Sequence, residues 1–297
     1  MNASWISAGA GAGWLVLVVF LSMADPSAAL AQAQATSRQE ELEKLAAEFS
    51  DPLTTLPQVF FRDDYSPANY GTNAQLNTLI ARAIIPRVPR FSFFPCIQLI
   101  RPTFSLVTVP TGKGITTLTE FGDTQLFDLA VLPWPDPKTG LKLGIGPTFV
   151  FPTATSKIAG QGAWQAGPAV GAAYTGVPWF LAGFLFQNPI SFAYTSPQRQ
   201  PLSTMEFQPI LLVHVWKGWY VRSADSTWEY GWRRHSPTML PLSFGVGDVI
   251  VRPGLPPLNF YVTGEWMVYR QFAPTAFQTS IKFGLTIGFP ELREWKW

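Results

Sequence analysis

The stretch TSIKFGLTIGF, residues 279–289, alternates large apolar residues with small or polar ones. In an extended chain successive side chains point to opposite faces, so this period of two predicts a β-strand. The apolar face consists of Ile281, Phe283, Leu285 and Ile287, and the opposite face of Ser280, Lys282, Gly284, Thr286 and Gly288. The same period recurs in residues 142–151, 240–247 and 260–266.

The composition separates a membrane barrel from a water-soluble sandwich. The 297 residues are 47% apolar and only 13% charged, whereas an average soluble domain has about 25% charged residues. Residues 158–198 contain no charged side chain, which is unsuited to a soluble β-surface. Pro168, Gly176, Pro178 and Pro189 also interrupt any helical hairpin there. Strands of 9 to 11 residues are long enough to span a bilayer, and a closed barrel satisfies their backbone groups.

Twelve segments with this pattern lie between turn signals. They are 56–65, 73–86, 97–110, 123–132, 142–152, 164–174, 179–191, 204–215, 219–228, 238–246, 259–269 and 279–289. Tight turns at 176–178 and 217–218 alternate with longer links, as in outer-membrane barrels. The sequence therefore predicts an all-β fold, a transmembrane antiparallel β-barrel of about 12 strands, with both termini on the periplasmic side. Trp residues at the predicted strand ends fit interfacial girdles: Trp134, Trp164, Trp179, Trp216, Trp219, Trp228 and Trp232.

The N-terminal region divides into a signal and a helix. Residues 1–31 read as a signal peptide, although an uncleaved anchor is the alternative because no Lys or Arg precedes the apolar run. A capping box at Ser37–Glu40 and helical spacing of Leu42, Leu45 and Phe49 predict a short amphipathic helix. We expect residues 32–54 to form a periplasmic helix and linker, 55–290 the barrel, and 291–297 a tail.

Two stretches resemble a known family. Residues 144–155, GIGPTFVFPTAT, are followed by 160–168, GQGAWQAGP, with support from Phe121-Gly122-Asp123 and Gly218-Trp219-Tyr220. This combination resembles the outer-membrane proteins of the phenol-degradation-pathway (MetA-pathway) family, often labelled simply "transporter". The resemblance extends from about Leu42 to Pro290. It implies an outer-membrane β-barrel and transfers no catalytic residue.

The polar residues expected on the inner face are candidates for lining the lumen. They are Asp123, Asp128, Lys142, Glu206, Gln208, His214, Glu265 and Lys282. They could line a passage for solute or form a mutually paired network that fills a narrow lumen. Inward glycines, such as Gly144, Gly146, Gly245 and Gly247, would leave space. Leu42, Leu45 and Phe49 give the helix an apolar side suited to a plug inside the barrel or to a docked cap.

Other functional classes are poorly supported. No nucleophile elbow, zinc-binding HExxH helix or phosphate loop occurs, so we expect no enzyme and no cofactor. A single Cys and two His make a metal site improbable, and a net charge of +2 gives no field for nucleic acid. Arg233 and Arg234 could contact lipopolysaccharide phosphates, with an ordinary solvated loop as the alternative.

Two functions remain open. The first is a channel or transporter in the cell outer membrane for small solutes, with aromatic or hydrophobic solutes as the more specific expectation. The second is a structural or surface-interaction barrel with a closed lumen. Either form would be exported through the Sec pathway, inserted by the barrel-assembly machinery, and surrounded by outer-membrane lipid and lipopolysaccharide as a monomer.

Overall fold

The computed structural model describes residues 26–87, 96–111, 117–133, 139–233 and 235–294. Most of the predicted signal segment therefore lies outside the described residues. Helix α1 (Pro26–Ser50) ends where the sequence predicts. Its predicted start at Ser37 is wrong, because residues 26–36 are rich in Ala and Gln, which favour helix, and Pro is well suited to a first turn. Among the described residues, no helix has the length and apolarity needed to cross a membrane.

The rest of the described chain is mainly antiparallel β-structure. The strands are β1 (Gln58–Ser66), β2 (Leu76–Arg87), β3 (Ile97–Pro110), β4 (Thr117–Phe121), β5 (Thr124–Val131), β6 (Leu141–Phe151), β7 (Ala163–Val177), β8 (Phe180–Gln187), β9 (Ile190–Tyr194), β10 (Thr204–Trp216), β11 (Trp219–Ser223), β12 (Trp228–Gly231), β13 (Thr238–Ile250), β14 (Leu258–Gln271) and β15 (Thr279–Gly288). A 3₁₀ turn (Pro290–Glu294) follows the last strand.

These strands close into one ring. β4 and β5 both pair with β3, β8 and β9 both pair with β7, and β11 and β12 both pair with β10, so each couple acts as one interrupted strand. β1 pairs with β15 on one side and β2 on the other, which closes the barrel. Fifteen segments thus form twelve strands around the ring, and the predicted fold class is confirmed.

The alternation of faces in the last strand is also confirmed. Lys282, Gly284 and Thr286 are buried inside, whereas Ile281 and Phe283 are 44% and 52% exposed on the outer surface. Exposed apolar side chains continue around the barrel, including Phe104, Ile145, Leu211, Val215, Leu242, Phe244 and Val262. The barrel is therefore apolar on the outside, as a lipid-facing surface requires.

The two rims of the barrel differ. We call the rim where β1 begins, next to the end of α1, the helix end, and the opposite rim the loop end. Two helix-end connections, 178–179 and 217–218, are tight turns, but 88–96, 132–140 and 251–257 are as long as most loop-end connections. The alternation of short and long links expected from the sequence is therefore only partly present.

The interior at the helix end is filled by the chain itself. Residues 38–56, which we call the N-terminal segment, comprise the end of α1 and the linker to β1. Ala46, Phe49 and Leu56 pack against inward apolar side chains of the barrel: Leu181, Ile210, Leu212, Tyr220 and Val249. Leu53 packs against a second inward group: Ile84, Leu99, Phe127, Leu129, Ala169 and Leu185. Together these contacts give the helix end a largely apolar packing between the N-terminal segment and the barrel wall.

The inward glycines accommodate other side chains, so the expectation that they leave open space is wrong at several positions. A β-carbon on Gly144 would lie 2.6 Å from Leu53, and one on Gly288 would lie 3.0 Å from Phe49. Gly247 and Gly284 lie directly beneath the rings of Tyr220 and Tyr261 respectively. Glycine is used here for close packing, because any larger residue would meet these side chains.

Candidate functional site: the barrel interior

An ion pair anchors the N-terminal segment inside the barrel. The carboxylate of Asp51 lies 2.6 Å from Lys142 Nζ on β6, and the Asp51 side chain is 1% exposed. The second carboxylate oxygen accepts a hydrogen bond of 2.8 Å from the backbone N–H of Leu53. Because Asp51 directly follows the helix, this contact fixes the point where the chain turns toward β1.

Residues 224–227, between β11 and β12, form an inward turn that narrows the lumen. Asp225 has a left-handed φ of 64° and is buried, as are Ala224 and Ser226. The Asp225 carboxylate lies 3.2 Å from Arg62 and 2.7 Å from Arg222, and its backbone carbonyl accepts a 2.6 Å hydrogen bond from Lys282. The turn is thus tied to both neighbouring and opposing strands.

A second buried ion pair extends this network. Lys282 Nζ lies 2.9 Å from Glu265, whose carboxylate also accepts a 2.7 Å hydrogen bond from Ser226 Oγ. Arg62 forms a bidentate contact with Asp64, at 2.6 and 2.8 Å. Buried charges are expensive unless paired and hydrogen-bonded, and these groups meet that condition. At this level of the lumen, a mutually paired network is what the structure contains.

Most of the predicted lumen-lining residues lie on the inner face. Glu265, Lys282 and His214 are buried there. Gln208 borders an internal cavity, and Glu206 accepts a hydrogen bond from Gln187. Both His214 ring nitrogens lack a hydrogen-bond partner among the described residues, and the ring packs edge-on against Tyr220.

The prediction for Asp128 is wrong. Its neighbours Phe127 and Leu129 are buried inside, so strand alternation turns Asp128 to the outer face. There its carboxylate accepts a 2.7 Å hydrogen bond from Gln98.

Asp123 lies between β4 and β5 and accepts backbone hydrogen bonds of 3.2 Å from Ala154 and 2.6 Å from Gln161, so it organises a loop-end connection.

The remaining candidates are placed as follows. Phe49 is buried, and Leu42 and Leu45 are half-buried against the same apolar cluster. Arg233 is exposed in the loop-end connection 232–237. Arg234 lies outside the described residues. His235 stacks edge-on against Phe272, with 4.9 Å between ring centres.

Sequence analysis missed four inward arginines: Arg62, Arg82, Arg101 and Arg222. Each occupies an inner-face position of its strand, and their guanidinium groups lie near aromatic rings of the interior. For Arg62 the sequence does contain a usable pattern, because its neighbour Phe61 is a large apolar residue that points outward and so turns Arg62 inward. Arg101 lacks such a signal, because its neighbours Ile100 and Pro102 do not distinguish one face from the other.

Among the described residues, three cavities along the lumen border the candidate side chains. One of about 410 Å³ extends from the Asp225 network to residues 272–277 at the loop end. Another of about 170 Å³ lies beside Glu206 and the connection 159–161. The third, of about 60 Å³, lies between the N-terminal segment and Arg82 and Arg101. No group of three or more His, Cys, Asp or Glu side chains suited to a metal ion occurs among the described residues.

Comparison with known proteins establishes the fold class. No protein-family model matches the chain, and no curated protein matches it. Among solved structures, an outer membrane channel from Pseudomonas putida F1 shares 10% identity with a TM-score of 0.54, covering 79% of this chain and 94% of its own. The NanC porin (11% identity, 78% and 98% covered, TM-score 0.47) and the CymD monoaromatic hydrocarbon channel (8%, 79% and 88%, 0.40) are also similar. The fold of this chain is therefore similar to that of the Pseudomonas putida protein, an outer-membrane β-barrel.

Proposed function

We propose that this chain is an outer-membrane channel for small solutes, closed at its periplasmic end by its own N-terminal segment. The observation that carries the proposal is the way the lumen is blocked. At the helix end the obstruction is a segment outside the strand ladder, whereas the loop end retains cavities of about 410 and 170 Å³. A segment held by side-chain contacts can leave without breaking a barrel strand.

The outer surface supports placement in the outer membrane. Trp179, Trp216 and Trp219 are exposed at the helix end, and Trp164 and Trp232 are exposed at the loop end. Trp residues concentrate at both membrane interfaces, and the apolar surface between these two groups suits the hydrocarbon region. The helix end would face the periplasm, since it carries both ends of the barrel. Sec export, assembly by the barrel-assembly machinery, a monomeric state and lipopolysaccharide contact remain predictions, as does membership of the phenol-degradation-pathway family.

Conductance of the purified mature chain in planar bilayers tests the proposal. We expect a low conductance for the full mature chain and a larger one for a form that begins at Pro57, because Phe49, Leu53 and Leu56 would then be absent. Lys142→Gln should give more frequent openings, since it removes the ion pair with Asp51. Lys157→Gln is the matched control, because Lys157 is exposed in a loop-end connection.

Two results would count against this function. Equal conductance of the full and shortened chains would overturn closure by the N-terminal segment. Absence of current from both forms, with folded barrels verified, would favour the structural or surface-interaction class. The solute class is a separate part of the proposal: reconstituted vesicles should take up small solutes, and the aromatic or hydrophobic preference expected from the sequence is tested by comparing aromatic with aliphatic solutes of equal charge.

A further inference from the structure

We propose that Arg82 and Arg101 form a binding site inside the barrel for the carboxylate group of a small organic acid. The inference deepens the proposed function by naming the chemical class of solute, and it rests on that function for the role of the site. The site consists of the buried Arg101 and the half-buried Arg82, neither of which forms an ion pair with a described carboxylate, together with the cavity that they line.

Arg101 is the stronger of the two observations. It is 7% exposed, and its Nε is buried without a hydrogen-bond partner. Its guanidinium carbon lies over the ring of Phe127, 4.5 Å from the ring centre. Within the described part of the chain it donates no hydrogen bond and forms no ion pair, although a guanidinium group carries five N–H donors. A buried charge without these partners is costly, and an anionic ligand would supply both the hydrogen-bond acceptors and the opposite charge.

Arg82 lies on the adjacent strand β2 and is also incompletely engaged. Its Nε donates a 3.0 Å hydrogen bond to Thr103 Oγ1, and its guanidinium carbon lies 5.2 Å from the centre of the Phe60 ring. No carboxylate of the described residues lies within ion-pair distance of it. Arg62 and Arg222, by contrast, are paired with Asp64 and Asp225.

The two arginines border the same cavity of about 60 Å³. One water molecule needs only about 10–15 Å³, so there is room for a carboxylate group. Gln208 and Asn259 add polar groups to the wall, whereas Phe60, Ile84 and Ile210 add apolar surface. An anionic head with an apolar body fits this combination better than a fully hydrated phosphate. Planar guanidinium groups also match the geometry of a carboxylate.

The carboxylates around the cavity are already engaged. Asp51 is paired with Lys142, and Asp225 with two arginines. Asp225 and Glu206 both attract Arg101 electrostatically, and neither forms an ion pair with it. The Glu206 carboxylate instead accepts a hydrogen bond from Gln187 and borders the separate cavity at the loop end. The positive charge of Arg82 and Arg101 therefore remains available to a ligand.

Titration calorimetry on the full mature chain in detergent tests the site with benzoate, inorganic phosphate and the neutral benzyl alcohol at constant ionic strength. We expect benzoate to bind and the other two to bind at least about tenfold more weakly, because benzyl alcohol lacks the charge that strengthens the hydrogen bonds and phosphate lacks the apolar body that the cavity wall would contact. Arg82→Gln and Arg101→Gln should each weaken benzoate binding by about tenfold or more. Arg101→Lys, which keeps the charge and loses the fork, should be intermediate.

Two further variants distinguish specific binding of benzoate at Arg82 and Arg101 from a general effect of the charge of the protein. Arg252→Gln should bind benzoate as the parent does, because Arg252 is exposed on the helix-end connection 251–257. Glu206→Gln should bind benzoate more tightly, because it removes one of the two carboxylates that attract Arg101, the other being Asp225. Unchanged benzoate affinity in both Arg82→Gln and Arg101→Gln would overturn the site, as would binding of phosphate alone. Benzoate binding without bilayer current would count against the channel and leave the site standing.

Discussion

At the scale of single residues, leucine side chains occur both on the outer surface of the barrel and in its interior, where their surroundings differ. Leu285 on the outer face of β15 pairs across the sheet with Phe61 and Phe260, whereas Leu53 and Leu56 are fully buried inside. The outer leucine faces lipid or solvent, whereas the two inner ones, which belong to the N-terminal segment, pack against the barrel wall. Substitutions at outer and inner positions therefore report on different environments.

Arginine at Leu285 tests the outer environment. We expect Leu285→Arg to lower the free energy of unfolding by about 2–4 kcal/mol, if the outer face lies in the bilayer centre. Val215→Arg, at the helix-end rim, should cost only about 0–1 kcal/mol, because charges near the interface are tolerated. Urea unfolding of protein reconstituted in lipid vesicles measures both. Equal costs at the two depths would contradict a lipid-facing band.

Asp225 tests the inner network. Asp225→Asn keeps the side-chain shape but leaves Arg62 and Arg222 without their shared carboxylate. We expect a loss of about 3–5 kcal/mol in unfolding free energy, because the remaining buried charges are uncompensated. Asp63→Asn is the control, since Asp63 lies on the outer face and accepts one hydrogen bond, from Asn77. A stability loss no larger than that of the control would show that the network is hydrated.

The residue scale also shows where sequence reasoning reaches its limit. Alternation places Lys282 and Glu265 on the inner face, but it cannot show that they touch each other. Asp128 was misplaced because β5 carries apolar residues on both faces, so the pattern did not fix its orientation. The glycines beneath Tyr220 and Tyr261 look like empty positions in sequence, and only the packed structure reveals the rings above them.

At the scale of elements, the N-terminal segment is the part of the chain that the barrel contains but does not include in its sheet. Its end at Ser50 was predictable from the Ser50-Asp51-Pro52 run. The linker 51–56 has no periodicity, so nothing in the sequence indicated that Leu53 and Leu56 would be buried. The inward apolar side chains at the helix end could not be predicted either. Leu181, Ile210 and Leu212 alternate along their strands with residues that are equally apolar, so the pattern does not show which face is inside.

Hydrogen exchange tests whether this element opens by itself. We expect Phe49→Ala and Leu53→Ala to raise amide exchange in residues 38–56 while exchange in the strands stays unchanged, because each variant removes an apolar contact of the segment only. Complete burial of such a side chain is worth about 1.5–3 kcal/mol, so exchange should rise by about tenfold or more. Leu42→Ala, at a half-buried position, should have a smaller effect. Parallel acceleration in the strands would mean that the segment and the barrel open as one unit.

At the scale of the whole molecule, closure of the ring is independent of the N-terminal segment. The first strand, β1, begins at Gln58, and it pairs with the last strand, β15, where Gln58 lies opposite Gly288. The ring is thus closed by residues that all follow the N-terminal segment. The twelve strands and their order could be predicted from sequence because period and turn signals repeat along the chain. The contents of the lumen could not, because they depend on contacts between distant strands.

A shortened chain tests this independence. We expect the form that begins at Pro57 to fold into a barrel that migrates anomalously on unboiled detergent gels, as the full mature chain should. Its thermal midpoint should be lower, because the apolar contacts of Phe49, Leu53 and Leu56 are lost. Migration at the unfolded position before boiling would show that the segment is needed to form the barrel, and would remove this variant from the conductance experiment.

The seam between β1 and β15 has a consequence for the order of assembly. Each strand from β2 to β14 pairs only with strands close to it in sequence, but one edge of β1 stays open until residues 279–288 have been made and delivered. An open edge is prone to pairing with other chains. The ring is therefore complete only when β15 pairs with β1. A substitution that slows this pairing would prolong exposure of the free edge of β1, which lies more than two hundred residues earlier in the chain.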